Sequence, residues 1–183
     1  MGLPSKEENV LKLFLNEPTK HWHFKDIVRE ARISKQQANR WLKEFEKEKI
    51  VMHVKSKDKM PFFQSNFNHP NYKNKKKLFA LHHLYKTGFL SYLQSLPKTK
   101  VIILFGSFMK SDWHTESDID LFIYGDPEEL SLAKYWRKLH RQIQHHIFPT
   151  SKSIKKIKSG LMKNVLEGYF VKGSINELLD VLQ

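Results

Sequence analysis

The sequence predicts an α+β protein of two small domains, helices and a hairpin first, then a short mixed sheet packed on helices. Three observations carry this. Through residues 1–66 apolar side chains recur at helical spacing and end in two short strand-like runs. Lys100-Val101-Ile102-Ile103-Leu104-Phe105 is an apolar run of strand length, as a buried central strand would be. Ser117 to Tyr124 then alternates so that Asp118 and Asp120 share one face of a second strand. The expected divisions are 1–66, a connecting helix within 67–98 packed on the second domain, and 99–183.

Composition sets the outer limits. With 40% hydrophobic and 13% aromatic residues among 183, the chain can build cores and is too apolar for disorder. No apolar run approaches a membrane span, and the opening Met-Gly-Leu-Pro-Ser-Lys-Glu-Glu has no signal-peptide apolar core. The absence of cysteine excludes disulfides, thiolate metal sites and thiol nucleophiles. A cytoplasmic protein with no membrane partner is expected. Net charge is +13 and uneven. Residues 1–66 contribute +5, 67–100 contribute +7 with no acid, and 101–183 contribute +1. A polyanion would therefore dock on the first hundred residues and leave the carboxylate region near neutral.

In the first domain, Val10, Leu11, Phe14 and Leu15 give Lys6 to Asn16 a helical stripe, closed by Pro18. Lys25 to Ala31 forms a second helix, with Ile27, Val28 and Ala31 inward. Ser34 reads as an N-cap with Gln37 completing a capping box. The third helix, Lys35 to Lys49, buries Ala38, Trp41, Leu42 and Phe45 at i, i+3, i+4 and i+7. Ile50 to Val54 and Pro61 to Gln64 read as strands joined by Lys55-Ser56-Lys57-Asp58-Lys59. His21 and His23 have no acidic or cysteine neighbours at ligand spacing, so they are not read as metal ligands.

Three helices and a basic hairpin resemble a winged helix-turn-helix domain. The resemblance makes the third helix a recognition helix, whose outer face offers Lys35, Gln36, Asn39, Arg40 and Lys43 to base edges or phosphates of double-stranded DNA. Lys55, Lys57 and Lys59 at the wing tip suit backbone phosphates. Reading paired half-sites would need a homodimer.

Between the domains, the lysines at 73, 75, 76 and 77 precede a long helical pattern through Leu96, ended by Pro97. Gly88 is its weak spot. Beyond it, Gly106 and Ser107 form a turn at a helix start, where backbone can approach a phosphate closely. Pro127 to Leu139 reads as a helix and Arg141 to Phe148 as a third strand. Lys152 to Lys158, Leu161 to Leu166 and Ile175 to Leu182 look helical, with a short extended piece at Tyr169-Phe170-Val171.

Gly106-Ser107, ten residues, then Asp118-Ile119-Asp120-Leu121 is similar to the signature of the DNA polymerase β-type nucleotidyltransferase superfamily, in its minimal branch. Together with the N-terminal winged helix, the chain resembles a prokaryotic, largely archaeal group of transcriptional regulators carrying such a domain. Arg141-Gln142-Ile143-Gln144 and Phe148-Pro149-Thr150 add to that likeness. The resemblance implies that Gly106 and Ser107 hold the phosphates of a nucleoside triphosphate. It implies that Asp118 and Asp120 are catalytic and bind Mg2+ or Mn2+ bridging those phosphates. An acceptor hydroxyl would attack the α-phosphate and expel pyrophosphate.

Active members of that superfamily place a third carboxylate on the next strand. Here that strand holds no acid; Gln144 stands at the third-acid position and His146 follows on the same face. A neutral amide can bond an ion but supplies neither charge nor a base. Asp112, Glu116, Asp126, Glu128 and Glu129 read as surface charge. The first reading is thus a DNA-binding transcriptional regulator whose second domain binds Mg-nucleotide. The alternative is an active nucleotidyltransferase modifying a protein partner such as a toxin, an RNA or a small molecule.

Overall fold

The computed structural model describes residues 5–182 and divides into two compact units, Met1–Lys76 and Lys77–Gln183. Among the described residues no helix is long and apolar enough to cross a membrane.

The first unit opens with α1 (Lys6–Asn16), whose Ser5 hydroxyl accepts from the Glu8 amide while the Glu8 carboxylate accepts from the Ser5 amide. This reciprocal cap satisfies two of the helix's unpaired donors. The buried stripe is Val10, Leu11, Phe14 and Leu15. Next come α2 (Phe24–Glu30) and α3 (Lys35–Lys47), the latter opened by the Ser34–Gln37 capping box. Ala38, Leu42 and Phe45 are buried in α3. Trp41, expected inward, is only half-buried: it sits at the edge of the stripe, where the Arg40 guanidinium lies 4.9 Å from its ring centre.

Two strands, β1 (Val51–Val54) and β2 (Phe62–Ser65), pair antiparallel with Val54 opposite Phe62. Trp22 adds a bridge to the outer side of this hairpin, exchanging two 2.8 Å backbone hydrogen bonds with Phe63. The base of the hairpin is tied to α1 by the buried Ser65 hydroxyl, which donates to the Phe14 carbonyl at 2.8 Å. Tyr72 donates to the same carbonyl at 3.0 Å, and burial pushes its phenol up to about 12.

Tyr72 belongs to α4 (Pro70–Lys86), which begins in the first unit and ends in the second. The pattern through Leu96 is not one helix. Gly88 adopts φ +75°, a left-handed conformation open to glycine without penalty, and a new helix, α5 (Phe89–Ser95), starts after it.

The second unit is a four-stranded mixed sheet made of β3 (Thr99–Phe105), β4 (Ile119–Gly125), β5 (Ile143–Phe148) and β6 (Tyr169–Lys172), in the order β5-β4-β3-β6. β3 runs antiparallel to both β4 and β6, while β4 and β5 are parallel. A short α6 (Gly106–Lys110) follows β3. The parallel pair needs a crossover, and α7 (Ala133–Leu139) supplies it. The helix expected from Pro127 starts six residues late because Glu128 takes φ +41°, which no α-helix accommodates.

The chain closes with α8 (Ser151–Ile154), α9 (Ser159–Leu166) and α10 (Ile175–Leu182). Strand alternation sends Val101, Ile103, Phe105, Phe122 and Tyr124 to one face, where Ile154, Met162, Val165 and Leu178 of these helices complete a core.

Candidate functional site

Asp120 is the second residue of β4 and stands on the same face as Phe122 and Tyr124, at the edge of that core. Its register partner on β3 is Phe105, and on the other side it pairs with Gln144 of β5. In a parallel pair, register partners project to the same face, so Gln144 lies directly beside Asp120, with His146 two residues further along. The His146 ring lies 5.7 Å from the ring of Phe105.

Phe105 leads into Gly106, which takes φ +75° as the chain turns from β3 into α6. A side chain there would start inside the Asp120 carboxylate: an ideal Cβ meets Asp120 Oδ2 and lies 2.8 Å from Cγ. Both the backbone angle and the close approach therefore require glycine. Ser107 is exposed in the first turn of α6, and its carbonyl accepts from the amides of Ser111 and Asp112.

The strand expected from Ser117 begins at Ile119, so Asp118 precedes β4 by one residue. It is nevertheless fixed on both sides. The carbonyl of Ser117, part of the peptide that joins it to Asp118, accepts from Arg141 Nη1 at 2.7 Å. On the other side the Ile119 amide donates to the Gln142 carbonyl at 2.9 Å. Arg141 Nη1 also donates to the carbonyls of His114 at 2.7 Å and Thr115 at 3.3 Å. The segment 114–117 is itself a turn, closed by Ser117 N to the His114 carbonyl at 3.1 Å. The guanidinium packs 4.7 Å from the Trp113 ring and 5.3 Å from that of Phe108. Burial lowers Arg141 to about 10, opposed by the charge of Asp118, and it stays protonated near neutrality.

Both aspartates are half-buried. Burial raises the Asp120 carboxyl above its ordinary range, His146 pulls it down, and the Asp118 charge pushes it up. The arrangement sets two carboxylates at the turn into α6, one of them packed directly on Gly106. It can offer anionic oxygens to a cation.

No third acid joins them. Gln144, the register partner of Asp120, is exposed and neutral. Asp126, Glu128 and Glu129 follow the far end of β4, about 17 Å of strand away from Asp120. Lys98 pairs with Glu128 there, and Asp126 Oδ1 accepts from the Glu128 amide at 3.1 Å. Asp112 and Glu116 are exposed in the loop before β4. Among the described residues no group of three His, Cys, Asp or Glu side chains comes together to hold a metal ion.

In the first unit, Lys35, Gln36, Asn39, Arg40 and Lys43 are all exposed on α3, opposite its buried stripe. Lys55, Lys57 and Lys59 are exposed in the loop between β1 and β2. His21 stacks on Phe62 at 4.0 Å and the His23 ring nitrogen bonds the Pro61 carbonyl at 3.0 Å, so both histidines brace the hairpin. Arg141 is the residue sequence reasoning left without a role. Its partners are backbone carbonyls of a loop 24–27 positions earlier, which no local pattern announces.

Residues 89–173 match the family model described as Polymerase beta, Nucleotidyltransferase. The match runs from the start of α5 past the end of β6 and takes in the whole sheet with both aspartates. No curated protein matches the chain. Among solved structures, a toxin–antitoxin MntA–HpeT mutant is 17% identical over 58% of this chain and 80% of its own, with a TM-score of 0.31. A toxin–antitoxin structure with AMP-PNP is 19% identical over 60% of this chain and 81% of its own, with a TM-score of 0.33. Likeness at that level is too low to carry an argument about activity.

Proposed function

We propose that the second unit is a nucleotidyltransferase that binds a magnesium–nucleoside triphosphate and transfers the nucleoside monophosphate to a hydroxyl of a protein, RNA or small-molecule acceptor. The observation that carries this is the close fit of Gly106 under the Asp120 carboxylate, with Asp118 beside it, inside the matched segment. Backbone amides at Gly106 and Ser107 would bond the β- and γ-phosphates. Asp118 and Asp120 would hold one magnesium ion. Bound there, the ion supplies charge neutralisation on the triphosphate and orients the leaving group.

The acceptor oxygen forms a bond to the α-phosphorus as the bond to the bridging oxygen breaks, and pyrophosphate leaves with the electron pair. Gln144 has no basic group to take the hydroxyl proton, which would pass to solvent or to His146, on the same face of β5. A site for a second ion would lack the charge that a third carboxylate brings. This reading expects slow transfer and firm nucleotide binding.

Incubation with labelled ATP, GTP, CTP and UTP, Mg2+ or Mn2+ and cell extract tests it. Label transferred by the wild type and lost in Asp118→Asn and Asp120→Asn supports the reading. Transfer equal to that of the two variants would remove it.

A second reading concerns the first unit, and the exposed polar face of α3 favours it. In this reading Lys35, Gln36, Asn39, Arg40 and Lys43 enter a DNA major groove, and Lys55, Lys57 and Lys59 meet phosphates. The protein would then be a DNA-binding regulator with a nucleotide-responsive second unit. A salt-titrated binding assay on its own upstream DNA is the test. Binding with no sequence preference and no steep fall in salt would count against it.

A further inference from the structure

We infer that Arg141 is the positioning residue of the nucleotide site: its guanidinium pins the 114–117 turn so that Asp118 faces the metal-bound triphosphate. This rests on the transferase reading of Asp118 and Asp120. Asp118 lies outside β4, so the sheet ladder alone does not hold its side chain in place. What holds it is the pair of residues just before β5, Arg141 and Gln142. Arg141 Nη1 takes the carbonyls of His114 and Ser117, each at 2.7 Å, and the Gln142 carbonyl takes the Ile119 amide at 2.9 Å. The peptide groups on both sides of Asp118 are thereby fixed by residues 141 and 142.

The guanidinium is itself held. Trp113 and Phe108 flank it at 4.7 Å and 5.3 Å, and His140, with φ +51°, turns the chain between α7 and β5. A planar fork against aromatic rings offers several N–H groups at fixed directions, which an ammonium on a flexible stem does not. Residues that orient a metal-binding side chain commonly set affinity through such contacts without touching the ion. The same short segment carries Gln144, so residues 141 to 144 fix one aspartate through its backbone and flank the other through its side chain.

The test compares the full chain as wild type, Arg141→Met and Arg141→Lys. Hydrogen exchange is read over residues 112–119 and over β3. Bound Mn2+ is read by electron paramagnetic resonance with a non-hydrolysable ATP analogue. Both variants are expected to exchange faster at 114–119, to keep wild-type protection in β3, and to need about tenfold more Mn2+ for half-saturation. Lysine restores the charge without restoring the affinity. Unchanged exchange at 114–119, unchanged Mn2+ affinity, or full rescue by lysine would overturn the inference. Loss of protection in β3 as well would make Arg141 a fold-wide group and overturn it too. A wild type that binds no Mn2+–nucleotide would instead bring down the transferase reading, and this inference with it.

Discussion

The carboxylate of Asp120 occupies the space where a side chain at residue 106 would begin. Gly106 follows the last residue of β3 and Asp120 lies in β4, and the two meet through the register that sets Phe105 opposite Asp120. Gly106→Ala should therefore do two things. Its φ of +75° costs a side chain at least about 1–2 kcal/mol, visible as a lower urea midpoint. The displaced Asp120 should also abolish nucleotide binding in calorimetry, under conditions where the protein is still folded. Retained binding would show that the carboxylate can move aside and still reach its ligand.

Burial makes Asp120 a harder acid to ionise, and the sign of the consequence is definite. The raised carboxyl binds its proton more tightly folded than unfolded. Stability is therefore lost as pH climbs from the ordinary carboxylate range through the raised folded value. Asp120→Asn removes that loss. The metal-free variant should melt above wild type near neutrality, and the difference should vanish as pH falls through the carboxylate range. Melting curves from pH 3.5 to 7.5 check this; a variant less stable than wild type throughout would contradict it.

What could be read from the chain beforehand was what sequence-local forces decide. The Ser5–Glu8 and Ser34–Gln37 caps act within one helical turn, so spacing alone reveals them. The buried runs of β3 and β4 announce themselves in the same way. The features missed at the site depend on partners distant in sequence. Asp118 falls outside its strand, and the Ser117 carbonyl before it is held by Arg141, 24 positions further along. Trp41 sits on the rim of the buried stripe, with Arg40 over its ring. At Gly88 the glycine signals weakness, but only the left-handed turn there makes it a break between α4 and α5.

Gln144 stands beside Asp120 in register, which makes it the position to restore an acid. Gln144→Glu sets a third carboxylate against two, so the metal-free protein should lose stability by like-charge repulsion. Mn2+ should recover it, with bound Mn2+ rising from one to two per chain in the presence of a nucleotide analogue. If the transferase reading holds, the rate should rise by up to about a hundredfold, the lower end of what a positioned base contributes. A variant whose melting temperature ignores Mn2+ would show that position 144 does not face the ion.

If the first unit binds DNA, Lys57 and Asn39 should fail differently, which is a sharper test than loss of binding. Lys57 sits at the hairpin tip among exposed lysines and would meet only phosphate. Lys57→Ala should weaken binding equally on all sequences and reduce the salt slope by about 0.9, the share of one phosphate contact. Asn39, exposed on α3 one residue past buried Ala38, can instead pair with an adenine edge. Asn39→Ala should leave the salt slope unchanged and cost about 1–3 kcal/mol of discrimination at one base position. Fluorescence anisotropy on a matched and a scrambled duplex at several salt concentrations separates the two. If both variants change only the slope, the α3 face is reading charge and not sequence. If neither changes anything, the face is a solvated surface and the excess charge of the first hundred residues serves another partner.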